Sequence, residues 1–224
     1  AMIRNLDRNI GRVLVELKAQ GLDQNTLVIF TSDNGGAHYI GLDDLNKPYR
    51  GWKATFFEGG TRVPFFMQLP GVIAPGSQFT APVSHFDIFA TSAALAGVQP
   101  PADRVIDGVN LIPFARGEQG GRPHEQMFWR SGAYQVARSG DWKLQVNETQ
   151  DKVWLFNLQD DPTEQHNLVD AEPARVKELL AQLAEFNSQQ KAPLWPSLVE
   201  APILIDKPLN RPQTIDDEFI YWSN

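Results

Sequence analysis

The run Thr26-Leu-Val-Ile-Phe-Thr31, ending in Ser32-Asp33-Asn34-Gly35-Gly36, restricts the possible folds of this chain more than any other segment. A near-continuous apolar run of this length fits a strand buried on both faces of a parallel sheet. Upstream, Ile3, Leu6, Ile10, Val13, Leu14 and Leu17 recur at helical spacing and Gly21 supplies a stop, which predicts an amphipathic helix. Helix followed by buried strand is an α/β signature. Sheets of that class bind ligands at the carboxyl ends of their strands, which is where Asp33 and Asn34 fall. A carboxylate and an amide are hard oxygen donors that suit Ca²⁺, with Mg²⁺ as the alternative. Gly51-Trp52-Lys53 then places an ammonium group on the next glycine-flanked turn. A divalent cation beside an ammonium makes a pocket for a tetrahedral oxyanion such as sulfate or phosphate.

Each element also has a plainer reading. Asp, Asn and Gly are ordinary turn residues, but a simple Asn-Gly hairpin continues at once into an alternating strand. Here a polar stretch from Ala37 to Tyr49 follows instead. Lysine is usually a solvated surface residue, whereas Gly51, Trp52 and the Gly59-Gly60 pair indicate a held turn around Lys53. His38, just past the metal-type motif, can line a substrate pocket, or it is an exposed loop histidine. His124 and His166 fall in a linker and a turn, which predicts surface positions. No His-x-x-x-His spacing points to zinc. The absence of cysteine excludes disulfides and thiolate metal sites. A formal charge of −7 argues against nonspecific binding to nucleic acid or an anionic membrane, though not against an anionic substrate in a locally positive pocket.

Residues 1–120 are expected to form the α/β part, with a second strand at Val63 to Leu69 and a short helix at Asp87 to Leu95. After the Gly- and Arg-rich stretch Gly117 to Pro123 the texture changes. Within 121–192, four short alternating segments (Gln126 to Trp129, Tyr134 to Arg138, Trp142 to Val146, Val153 to Asn157) predict an antiparallel meander. Asp161-Pro162-Thr163-Glu164 has capping-box spacing with Pro at the first helical position, which predicts a turn of helix. Val176, Leu179, Leu180, Leu183 and Phe186 mark a helix that packs on the meander. Residues 193–224 read as an extended tail in which Phe219 to Trp222 adds an edge strand.

In this order, Asp33-Asn-Gly-Gly36, Gly51-Trp-Lys53, Glu58-Gly-Gly-Thr-Arg62-Val-Pro64, Val83-Ser84-His85-Phe86-Asp87, Arg138-Ser-Gly-Asp141-Trp142-Lys143 and Asp161-Pro-Thr-Glu164-Gln-His-Asn167-Leu168 resemble the sulfatase family, from Met2 to about Phe186. The resemblance implies the C-terminal part of an alkaline-phosphatase-like α/β domain, followed by a small α+β subdomain with a four-stranded antiparallel sheet and a packed helix. It makes Asp33 and Asn34 metal ligands and Lys53 the group that contacts the sulfate. It makes Arg50 and Arg62 structural, with Arg62 paired to a carboxylate. Glu58 reads as a structural hydrogen-bonding residue, and Asp87 as a cap or brace. The family's nucleophile is a formylglycine made from the Cys or Ser of a Cys/Ser-x-Pro-x-Arg signature, and this chain contains neither a cysteine nor a serine in such a run. Nucleophile, further acidic ligands and catalytic histidines are thus expected upstream, and this chain alone is expected to be inactive. The implied partners are a sulfate ester (aryl or carbohydrate) and either an N-terminal part of the same protein or a second copy. Phosphonate monoester or phosphodiester hydrolysis on the same scaffold, or a non-catalytic folded module, are the alternatives. No charged-then-apolar leader is present; for a C-terminal portion this leaves the compartment open, and a periplasmic or secreted parent is compatible.

Overall fold

A computed structural model describes residues 1–223. They form two compact units, residues 1–31 with 65–124, and residues 32–64 with those from 125 onward.

In the first unit, α1 (Met2–Ala19) closes at Gly21, whose φ of +67° lets Leu22 N reach back to Leu17 O at 2.9 Å. None of its residues is buried, so the apolar stripe that defines the helix is exposed. The strands β1 (Val28–Thr31) and β2 (Phe65–Gln68) pair antiparallel, in register from Val28 with Gln68 to Thr31 with Phe65. This corrects the expectation of a strand buried in a parallel sheet. Among the described residues the one partner of β1 runs antiparallel, and Phe30 is exposed, its ring centroid 6.2 Å from that of Phe66. An apolar run states how much cover a strand calls for; it does not encode the direction of its neighbour. After the single turn α2 (Glu58–Thr61), which belongs to the second unit, the short helix α3 (Asp87–Leu95) lies where expected. Asp87 is a brace: its buried carboxylate accepts from Ser84 N (2.7 Å), Val109 N (2.9 Å) and His124 Nε2 (2.8 Å). His124 is therefore buried, with 8% of its side chain exposed, and not at the surface. A buried carboxylate requires donors, and its partner lies too far away in sequence for local composition to reveal. The single turn α4 (Ile112–Ala115) buries Ile112 and Phe114.

The second unit is built on the meander β3 (Gln126–Ser131), β4 (Tyr134–Ser139), β5 (Trp142–Asn147) and β6 (Lys152–Asn157), paired antiparallel in that order. Gly132 and Gly140, both at φ +59°, take the first position of the two-residue loops joining β3 to β4 and β4 to β5. That is the position where a type II′ hairpin requires glycine. One face of the sheet (Ala137, Leu144, Val146, Leu155) packs on Leu179 and Leu183 of helix α5 (Pro173–Ser188). The other (Tyr134, Val136, Trp154, Phe156) packs on Phe57 and on Ile203, Ile205 and Ile220. Those last three belong to a ribbon, β7 (Glu200–Leu204) with β8 (Phe219–Ser223), and its loop. Phe219 to Trp222 thus form a strand, but in a ribbon of their own and not on the edge of the meander. The Asp161–Glu164 segment likewise departs from expectation: it makes a turn and no helix, with Glu164 at φ +58° and its side chain buried. Partners elsewhere in the unit outcompete the local cap.

Candidate anion and metal site

All four residues singled out from the sequence, Asp33, Asn34, His38 and Lys53, lie in the second unit. Their backbones are interlocked. Gly35 N donates to Gly60 O at 2.9 Å, and Gly36 O accepts from Lys53 N at 3.0 Å and from Asn46 Nδ2 at 2.9 Å. Asn46 Oδ1 in turn accepts from Gly36 N (2.7 Å), while its Nδ2 also reaches Gly51 O (3.0 Å). Gly59 N closes the system on Arg50 O at 2.7 Å. The glycines are required by this contact: a Cβ on Gly35 would stand 1.7 Å from Gly59 O, and one on Gly60 2.1 Å from Thr55 O. Ala54, next to Lys53, is held at φ +74°, a conformation that persists in a non-glycine residue only where its surroundings impose it. Asn46, which mimics a backbone strand to both Gly36 and Gly51, was not visible in the sequence, since one asparagine in a polar loop carries no distinguishing pattern.

Within this fixed backbone the functional groups stand free. Asp33 and Lys53 are exposed and Asn34 is half-buried. Among the described residues none of these three side chains has a hydrogen-bond or ion-pair partner. Asp33 and Asn34 offer two oxygens, against the six to eight that Ca²⁺ takes. No group of three or more His, Cys, Asp or Glu side chains among the described residues is placed to hold a metal. Two oxygens are at most part of such a coordination shell. His38 is half-buried, and loss of solvent lowers its pKa, which favours the neutral ring. Its Nδ1 is shielded and unpaired, as is Nε1 of Trp52, a residue only 4% exposed. Unpaired buried polar atoms are costly, and two of them beside Asp33-Asn34 and Lys53 in sequence are suited to a polar ligand.

A buried charge cluster supports the Glu58-Gly59-Gly60 turn. Lys143 Nζ lies 2.8 Å from Glu58 Oε1 and 3.0 Å from Glu164 Oε1, and Glu164 Oε2 accepts from Glu58 N at 2.5 Å. Gln145 Nε2 adds a bond to Glu164 at 3.1 Å, and Tyr134 OH donates to Gln145 Oε1 at 2.5 Å while accepting from Phe56 N at 2.9 Å. Burial raises the Glu164 pKa beyond what Lys143 offsets. Burial also pushes Glu58 upward, but Lys143, Arg138 and Arg62 together hold it below its usual range. For Lys143 burial works against the charge, and the two glutamates more than compensate. Arg62 meets Glu58 at 3.6 Å and lies over the Tyr49 ring, so the carboxylate expected for Arg62 is Glu58.

Residues 1–98 match the family model Sulfatase, and residues 50–191 match the model described as N-sulphoglucosamine sulphohydrolase, C-terminal. The chain belongs to the sulfatase family. It is similar to rat (Rattus norvegicus) steryl-sulfatase, with 40% identity over 167 residues covering 71% of this chain and 28% of that protein. Among solved structures it is similar to Ps i-CgsB, described in complex with k-i-k-neocarrahexaose, with TM-score 0.77 and 30% identity over 87% of this chain and 43% of that one. It is also similar to the phosphonate monoester hydrolase of Agrobacterium radiobacter, with TM-score 0.65 and 26% identity over 84% of this chain and 40% of that one. The chain spans less than half the length of these relatives and corresponds to a C-terminal sulfatase portion with the alkaline-phosphatase-like fold. No helix among the described residues is long and apolar enough to cross a membrane.

Proposed function

We propose that this chain supplies the metal- and anion-binding half of a site that hydrolyses sulfate esters, of aryl or carbohydrate type. The observation that carries the reading is the bond from Lys53 N to Gly36 O, which ties the turn bearing an unpaired ammonium to the turn bearing an unpaired carboxylate and amide. Asp33 and Asn34 would hold Ca²⁺, or Mg²⁺ in its place. The metal, when bound, would polarise the sulfuryl oxygens. Lys53 neutralises charge that develops on the ester oxygens, from a backbone already fixed so that no reorganisation is needed at the moment of reaction. His38, neutral and with Nδ1 unpaired, lines the substrate pocket. Attack on sulfur belongs to a formylglycine on an N-terminal part of the protein, so the 224-residue chain alone is inactive. The bound neocarrahexaose of the similar Ps i-CgsB supports a carbohydrate ester. The similar phosphonate monoester hydrolase keeps phosphonate monoesters as the second reading.

In the longer protein, Lys53→Ala is expected to lower kcat/KM for an aryl sulfate by about 10²–10³-fold, the loss typical of one charge-stabilising donor. A change within twofold, or turnover by the 224-residue chain on its own, would overturn the reading. A higher kcat/KM for an aryl phosphonate monoester than for the matched sulfate would establish the second one.

The apolar stripe of α1 and the exposed rings of Phe30 and Phe66 are apolar surface of the kind that monomers rarely leave solvated when it is extensive. The N-terminal part of the protein, or a second copy, is the proposed cover. Light scattering on the pure chain is expected to report dimers or larger species. A monodisperse monomer without a partner would refute this.

A further inference from the structure

Residues 192–224 lie outside both family matches, yet the loop joining β7 to β8 is bonded at several points to the segment carrying the candidate site. Leu209 N donates to His38 O at 3.0 Å, Asn210 Nδ2 donates to Gly41 O at 3.2 Å, and Arg211 pairs with Asp43. The strongest tie is to Arg50. Its Nε and one terminal nitrogen grip the two oxygens of Asp206 at 2.7 Å each, and that terminal nitrogen also pairs with Glu218. Glu218 is itself oriented by Trp154 Nε1 at 3.3 Å. The guanidinium lies 5.1 Å from the Phe57 ring centroid, and the Arg50 side chain is only 11% exposed.

An exposed ion pair would mean little. A two-pronged grip on a largely buried guanidinium is different, because it fixes geometry as well as charge and its loss leaves a buried cation unpaired. Arg50 also stands at the head of the turn system: its carbonyl accepts Gly59 N, the next carbonyl accepts Asn46 Nδ2, and Asn46 holds Gly36, whose oxygen receives Lys53 N. We propose that Asp206 and Glu218 are positioning residues, and that the loop joining β7 to β8 is a strap that holds Arg50 and, through its backbone, the turn presenting Lys53 to the reacting anion. The catalytic part of this proposal rests on the role given to Lys53 above; the mechanical coupling does not.

The test uses charge-neutral near-isosteres, Asp206→Asn with Glu218→Gln, which leave Ile203, Ile205 and Ile220 in the core. Amide hydrogen exchange in the full chain is expected to accelerate at least tenfold at Lys53 and Gly59, with the amides of β4 and β5 unchanged. In the longer protein the same pair is expected to lower kcat/KM for a sulfate ester at least tenfold. Arg50→Lys, which keeps the charge and loses the fork, should fall between. Exchange at Lys53 and Gly59 within twofold of the parent, or acceleration at every amide alike, would overturn the coupling. A loosened turn with unchanged turnover, in a protein that Lys53→Ala inactivates, would overturn the positioning role. If Lys53→Ala is also silent, the assignment of Lys53 fails, while the expected exchange pattern still establishes the strap.

Discussion

Replacing Lys143 by Met is expected to lower the unfolding free energy by about 3–5 kcal/mol, the cost of removing one partner from a buried ion pair. The side chain is 1% exposed and its ammonium lies between Glu58 and Glu164, at 2.8 and 3.0 Å. Methionine fills nearly the same space, so packing is kept and the charge is what is tested. Without Lys143 two buried carboxylates face each other, and the half-exposed Arg62, 3.6 Å from Glu58, and Arg138 offset the charge of Glu58 only in part. Glu164 is already pushed upward by burial, and Glu58 would lose the first of the groups that hold it down. The pH dependence follows in sign. In the parent, the depressed Glu58 contributes stability that is present above pH 4.5 and lost as the pH falls through its folded pKa. In Lys143→Met the already raised Glu164 loses the cation that offsets its burial, so the folded state takes up a proton and regains stability as the pH falls from 7 toward 4.5. Urea unfolding at several pH values should show the deficit narrowing on acidification. A deficit below about 1 kcal/mol at pH 7, typical of an exposed pair, would mean that the cluster is solvated.

Lys143 also shows where the sequence ceased to be informative. Along β5, Trp142-Lys-Leu-Gln-Val-Asn147 alternates apolar with polar, the pattern of a strand with one face in water. Both faces are covered: Leu144 and Val146 meet α5, and Lys143, Gln145 and Asn147 are buried on the other side. What buries them comes from residues 56–58, from Glu164 and from the ribbon, and alternation carries no information about such distant cover. Hairpins and α5 were legible because their causes are local, namely Ser-Gly loops and a 3.6-residue stripe. The glycine-flanked turns that carry Asp33, Asn34 and Lys53 were legible for a related reason, since those glycines are dictated by backbone contacts within about 25 residues. The pairs Asp87 with His124, Glu58 with Lys143 and Arg50 with Asp206 lie 37, 85 and 156 residues apart. Asp87, Glu58 and Arg50 read as structural residues, but nothing local names the partner of any of them.

Gly35→Ala should be about as damaging as Lys143→Met, though it adds one methyl group and removes no functional group. The new Cβ would stand 1.7 Å from Gly59 O, 2.8 Å from Gly59 C and 3.0 Å from Gly60 Cα. These are backbone atoms, so no side chain can swing aside. One of the two turns must move by more than an ångström, and the turn bearing Gly59 and Gly60 is pinned by Gly59 N to Arg50 O and by Glu58 N to Glu164. Relief therefore falls on the Asp33-Asn34-Gly35 side and breaks the bond from Gly35 N to Gly60 O. Overpacking against rigid surroundings costs up to about 3 kcal/mol, and the lost hydrogen bond about 1 more, roughly 4 in all. Moving Asp33 and Asn34 away from Lys53 by that distance would also misplace the proposed metal ligands, and a shift of about 1 Å near a reacting centre costs on the order of 10²-fold in rate. Gly11→Ala is the matched control, an added Cβ with nothing within 4 Å. A Gly35→Ala protein that unfolds within about 1 kcal/mol of that control would show that the two turns do not touch in solution, and the site built on their contact would fall with it.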